Sequence, residues 1–212
     1  MKIWLYGAPF SGKTTFASKF PGAKVISTDG NAEGLFEAKD IYRVRDYKGL
    51  NDVLATLRKE QPQWLVIDVI DYLYDICRSY VLQKNGVEDE GDIPYRGYKM
   101  VRQFFWEVLT TISNLCDNII FISHEEAVTE KNKFGREITK YGPKFESKIL
   151  TQMTGIMTVV ARCAKESSEK NESKYVLKIG HSDDEIGGTR FPLKSTIIPL
   201  DYDEFMNNIN KK

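Results

Sequence analysis

What the sequence has little of sets the first limits. Cysteine occurs three times, at Cys77, Cys116 and Cys163, far apart and with no Cys-x-x-Cys pair. That pattern excludes a disulfide framework and offers no zinc site, so the three thiols are read as reduced and mostly buried. Net charge is absent, because 30 Lys and Arg balance 30 Asp and Glu. A chain that coats nucleic acid by bulk charge is thereby excluded, while local patches stay open. There is no apolar run of about eighteen residues, no basic stretch leading into an apolar one at the start, and no internal repeat; the expected location is the cytoplasm. Histidine occurs only twice. At 212 residues there is room for one α/β domain and little more, and residues 1–212 are read as a single domain.

Against these absences one stretch stands out. Ile3, Trp4, Leu5 and Tyr6 read as a buried strand that runs into Gly7, Ala8, Pro9, Phe10, Ser11, Gly12, Lys13 and Thr14, a complete GxxxxGKT, with Thr15 behind it. The spacing has a chemical reason. Successive backbone N–H groups that point inward can hold a polyphosphate, and glycines at both ends permit the backbone angles this needs. Lys13 then reaches the β- and γ-phosphates of ATP, Thr14 offers its hydroxyl to Mg²⁺, and the helix opening at about Gly12 aims its positive end at the same phosphates. Pro21 and Gly22 close that helix.

Strands and helices then alternate. Ala23 to Ser27 reads as a second strand whose end sets Asp29 and Glu33 at the carboxyl edge of the sheet, where ligands sit in open α/β folds; a solvated turn explains Glu33 equally well. Ile41 to Val44 reads as a short strand, and 50–59 has helical spacing. Trp64 to Ile67 is a buried strand tipped by Asp68, the carboxylate a P-loop protein needs for Mg²⁺. Asp71 is adequately explained as a helix start. A helix follows over 72–84, then a surface loop over 85–99, then a helix over 100–115 packed by Val101, Phe104, Phe105, Val108, Leu109 and Ile112. Asn118 to Ser123 is the next central strand. It ends at His124, which its position makes a candidate γ-phosphate sensor rather than a packing residue.

The stretch 126–148 is polar and is read as a second surface loop. Lys131, Lys133, Arg136, Lys140, Lys144 and Lys148, with Phe134, Tyr141 and Phe145 between them, suit single-stranded DNA, charge following the backbone and rings stacking on bases; a solvated loop is the other reading. Gly155 to Cys163 and Tyr175 to Ile179 are strands joined by an exposed tip, a C-terminal β-hairpin. Arg190 fits an arginine finger or a plain surface arginine. Residues 201–212 are read as a tail.

The segments YGAPFSGKTTFA, ISTDGNAEGL, WLVIDVID and IIFISHEE, in that order, resemble the core of RecA/RadA recombinases. More closely they resemble the compact RecA-like ATPases of bacteriophages, the Sak-type recombinases of the single-strand annealing class, over about residues 2 to 200. The resemblance implies an α/β fold with a mostly parallel central sheet flanked by helices. By it Asp29, where such proteins more often carry glutamate, polarises the attacking water; His124 stands where a glutamine sensor is common; and the stretch after it is the DNA-touching loop. Lys178 or Arg190 would act on a neighbouring subunit's nucleotide. The implied protein is a Mg²⁺-dependent, DNA-stimulated ATPase in the host cytoplasm, a homo-oligomer with ATP sites between subunits, working on single-stranded DNA beside a phage or host single-strand-binding protein. Two alternatives stand. One is a nucleotide-dependent clamp or recombination mediator with little turnover. The other is a small-molecule kinase, disfavoured because 85–99 holds only Arg96 for a lid.

Overall fold

The structure, a computed structural model, describes every residue except Tyr95, 132–134, 168–172, His181, Asp183 and 210–212, together with the side chains of Glu130 and Ser167. The chain divides into two compact units, one made of 1–21 and 120–212 and the other of 22–119. The architecture is α/β, its core strands parallel and flanked by helices.

In the first unit β1 (Lys2–Gly7) is buried from Ile3 onward. Such a continuous apolar run belongs to a strand covered on both faces. It pairs in parallel with β7 (Val159–Ser167), Tyr6 lying opposite Arg162. β8 (Ser173–Lys178) runs antiparallel to β7, and β10 (Ile197–Pro199) antiparallel to β8, which is the expected C-terminal hairpin with one more strand added. The two-residue β9 (Gly188–Thr189) also pairs with β7. On the other side of β1 lies β5 (Ile119–Lys131).

Two expectations for this unit are corrected. The stretch 126–148 is no loop: β5 continues through it and turns back as β6 (Glu137–Pro143), the two pairing from Glu125–Pro143 to Lys131–Glu137, and α5 (Ser147–Ile156) follows. Nor is 201–212 a tail, because α6 (Tyr202–Ile209) occupies most of it. Phe205 is fully buried and meets Phe16 and Phe20 at ring distances of 5.7 and 6.0 Å. Burying one such ring is worth roughly 1.5–3 kcal/mol, and Ile209 of the same helix is buried as well. The helix behind the P-loop, α1 (Lys13–Ala17), is only five residues long. Its dipole is correspondingly slight, and anion binding must rest on the loop and on Lys13.

The second unit has a parallel sheet in the order β4 (Trp64–Asp68), β2 (Ala23–Ser27), β3 (Ile41–Arg43), with Ser27 in register with Asp68. Its helices are α2 (Tyr47–Glu60), α3 (Ile70–Asn85) and α4 (Gly97–Ser113). Asp46 caps α2 by accepting from the Gly49 N–H at 2.7 Å, and Leu50, Leu54 and Leu57 bury one face. The 85–99 stretch also departs from the loop expected of it. Glu90 and Ile93 are buried, Ile93 against Val81, Leu82 and Val101, and Glu90 accepts from Arg78 Nε at 2.6 Å. Ile93 and, partly buried against the same cluster, Val87 anchor the segment, too few to register as periodicity.

Candidate functional site

The P-loop is built where β1 ends. Gly7 has no room for a side chain: a β-carbon would stand 2.3 Å from the Cys163 carbonyl oxygen and 2.7 Å from Ser11 Oγ. Gly12 has φ +87°, and a β-carbon there would meet Leu200 Cδ2 at 2.6 Å. Between them Ala8 accepts from the Ser11 N–H at 3.2 Å to close the turn, and Phe10, at φ +61°, stands 94% exposed. Lys13 is buried, and its ammonium donates to the Gly7 and Ala8 carbonyls at 2.8 Å each. A buried cation beside a cradle that any β-carbon would fill fits a phosphate. Its charge reaches β7: burial pushes the Cys163 thiol up to about 12, with the Lys13 ammonium opposing the rise.

His124 lies on β5 directly after Ser123, whose hydroxyl accepts from Trp4 Nε1 of β1 at 3.1 Å. The His124 carbonyl accepts from the Lys144 N–H at 3.0 Å, which ties the base of the β5–β6 hairpin to the candidate sensor.

A group that sequence reasoning missed lies at the same edge. Arg162, in register with Tyr6, donates from Nε to Glu125 at 2.9 Å and from a terminal nitrogen to Glu185 at 2.6 Å, and its guanidinium lies 3.7 Å from the Tyr141 ring centroid. Burial works against its charge, and the two carboxylates outweigh that, holding the group above its ordinary pKa. Tyr6 donates its hydroxyl to the Ile186 carbonyl at 2.6 Å, and burial, with the Glu185 charge added, pushes that phenol well up. Lys178 reaches Glu185 at 3.3 Å and Glu166 at 3.0 Å. The strand feeding the P-loop is thus clamped to the base of the hairpin. An arginine inside the apolar run VVARC was the available signal, since a cation there needs buried partners. Arg162→Ala is expected to cost about 3 kcal/mol by taking the arginine from the half-buried Glu125 and leaving Glu185 with Lys178 alone, read as a lower urea midpoint at unchanged m.

The other candidates fall as follows. Lys131 and Lys140 are exposed, on opposite faces of the hairpin: Lys140 pairs with Val128, whereas Lys131 stands across from Glu137. Arg136 is exposed just before β6, and Lys144 and Lys148 are exposed beyond it; Lys133 and Phe134 lie outside the described residues. The aromatics expected to stack on bases are engaged internally, Tyr141 under Arg162 and Phe145 edge-on to Trp4 at 5.9 Å. Arg190 donates from Nε to the Met157 carbonyl at 2.9 Å and from a terminal nitrogen to Gly155. It closes the end of α5 in its own chain, and action on a neighbour would require giving up those bonds.

In the second unit Asp29 and Asp68 come together at the carboxyl ends of β2 and β4, the Thr28 N–H donating to the Asp68 carbonyl at 2.8 Å. Asp68 is almost wholly buried. Asp29 accepts from the Asn31 N–H at 3.0 Å and from Asn31 Nδ2 at 2.9 Å, a turn held by its own side chain. Glu33 pairs with Arg43 at the surface. Among the described residues no cluster of three His, Cys, Asp or Glu is placed to hold a metal, and no helix is long and apolar enough to cross a membrane. All three cysteines are free and buried.

A family model described as an AAA domain matches residues 1–191. No curated protein matches the chain in sequence. Among solved structures, a KaiC-like protein from the hyperthermophilic archaeon Pyrococcus horikoshii OT3 is similar at 14% identity and TM-score 0.46, covering 93% of this chain and 88% of the other. The RadB recombinase is similar at 16% identity and TM-score 0.45, covering 86% and 82%. The flagellar accessory protein FlaH from Methanocaldococcus jannaschii is similar at 12% identity and TM-score 0.41, covering 84% and 76%.

Proposed function

The chain belongs to the AAA domain family, and from that premise we propose that its ATPase-type P-loop domain is a RecA-like one that binds and hydrolyses ATP with Mg²⁺ and acts on single-stranded DNA, in annealing or strand exchange of the bacteriophage recombination kind. Lys13 and the loop N–H groups hold the phosphates. For Mg²⁺, which neutralises phosphate charge when bound, the Thr14 hydroxyl is a hard oxygen donor of the required kind, and the motif order assigns Asp68 the same duty. His124 senses the γ-phosphate.

The observation that carries this reading is one continuous strand. β5 starts buried beside β1, presents His124, is clamped through Glu125 to the register partner of Tyr6, and runs on as an arm of the hairpin bearing Lys131 and Lys140. A shift at the phosphate end is therefore delivered to the basic hairpin without an intervening hinge. With Tyr141 and Phe145 engaged elsewhere, contact with DNA rests on charge, so binding should fall steeply with salt.

The test is binding of a labelled single strand by the protein without nucleotide, with ADP and with a non-hydrolysable ATP analogue, at two salt concentrations. Binding that needs the analogue and weakens with salt supports the reading; no binding under any condition removes DNA as the direct ligand. Arg136→Ala with Lys140→Ala is expected to weaken DNA binding about tenfold or more at low salt and to flatten the salt slope by up to two counterions, with ATP turnover in the absence of DNA unchanged. The same affinity and slope in the double variant would move the DNA surface elsewhere.

One observation favours a second reading, a nucleotide clamp or mediator with little turnover: the Asp29 carboxylate is already spent on the Asn31 turn. Turnover measured with and without single-stranded DNA separates the two.

A further inference from the structure

Phosphate binding accounts for one end of a nucleotide. A triphosphate lying along Gly7 to Lys13, with its α-phosphate toward the first turn of α1, sends sugar and base out past the Gly12 end of the loop. The side chains facing Gly12 come from the C-terminal strands of the same unit. A β-carbon on Gly12 would stand 2.6 Å from Leu200 Cδ2 and 3.5 Å from Tyr175 Cδ1, so both side chains are in van der Waals reach of the loop.

Tyr175 is on β8 and Leu200 directly follows β10, the Leu200 N–H donating to the Tyr175 carbonyl at 3.0 Å. Behind them α6 is fixed by Tyr202 against Phe20 at 4.9 Å and by Phe205 against Phe16. The surface is therefore preorganised. Yet Tyr175 is 43% exposed, and its ring's cation contact, Lys165 Nζ at 5.9 Å from the centroid, is a loose one. A flat, half-open ring on a rigid support beside a phosphate loop is suited to another flat ring.

We propose that Tyr175, backed by Leu200, is the stacking surface for the nucleobase of the bound nucleoside triphosphate, and that it favours purines over pyrimidines. This rests on the P-loop being a triphosphate site. Stacking reads the face of a base, and the larger purine covers more of the phenol ring.

The test uses the full chain and calorimetric titration with ATP, CTP and inorganic tripolyphosphate, each with Mg²⁺. Tyr175→Ala should lower ATP affinity about tenfold, lower CTP affinity less, and leave tripolyphosphate affinity unchanged; Tyr175→Phe should keep all three. Unchanged ATP affinity in Tyr175→Ala, or an equal loss for tripolyphosphate, overturns the stacking role, the second outcome meaning that the ring merely supports the loop. Lys13→Ala separates this from failure of the underlying reading: it should weaken all three ligands alike, and if it weakens none, the triphosphate site itself is lost and the base surface with it.

Discussion

Lys13→Ala is expected to weaken ATP binding about a hundredfold and to abolish measurable phosphate release, while the protein stays folded. The size follows from what the ammonium does. It is buried and held by the Gly7 and Ala8 carbonyls, so it arrives at a phosphate already desolvated and aimed. Charge-assisted hydrogen bonds of this kind contribute about 1.5–3 kcal/mol, and about 2.8 kcal/mol corresponds to a hundredfold in affinity. Folding should tolerate the change, because removing a buried cation relieves its desolvation as it deprives two carbonyls of a donor. Calorimetry with ATP and a phosphate-release assay would measure it, with a thermal melt as the control. Affinity within threefold of the parent would mean that the phosphates are held elsewhere.

Gly7→Ala should be the more damaging of the two P-loop glycine substitutions, costing about 3 kcal/mol of stability through overpacking and disabling the loop as well. The added carbon would meet the Cys163 carbonyl oxygen at 2.3 Å, and that oxygen belongs to β7, which pairs on one side with β1 and on the other with β8. Neither strand can retreat without losing ladder hydrogen bonds. Gly12→Ala provides the comparison. Its obstacle is the Leu200 Cδ2 methyl, the end of a side chain that can turn away, so its cost is mainly the left-handed φ of +87°, about 1–2 kcal/mol. Urea unfolding of the two variants should place Gly7→Ala below Gly12→Ala; the reverse order would mean that backbone conformation, not the β7 carbonyl, dictates glycine at the start of the loop.

The parts of the fold that were legible in the sequence share one property: their burial is written as composition. Ile3 to Tyr6, Trp64 to Ile67 and Ile119 to Ile122 are unbroken apolar runs because they are covered on both faces. The loop between Tyr6 and Lys13 was legible because phosphate chemistry permits so few spacings. The β5–β6 hairpin was not, since a ribbon that leaves Val128 half exposed and Lys131, Glu137 and Lys140 exposed has no buried face to impose alternation. For α6 the anchors Tyr202 and Phe205 decide the matter through contacts nearly two hundred residues away in sequence, with Phe20 and Phe16. Tyr175 could not be singled out for the same reason, its neighbour Leu200 being adjacent only after folding, whereas Arg162 was marked by its place in an apolar run but its partners Glu125 and Glu185 were not.

The continuity of β5 also has a mechanical side. Thirteen residues run from Ile119 to Lys131, the first part gripped beside β1 and the part beyond Glu125 paired with β6. At 3.3–3.4 Å per residue the projecting part is a lever arm of about 20 Å, so a tilt of about 5° at its root sweeps the tip through about 2 Å. That is a hydrogen bond's worth of travel at Lys131, produced by a displacement of a few tenths of an ångström at His124.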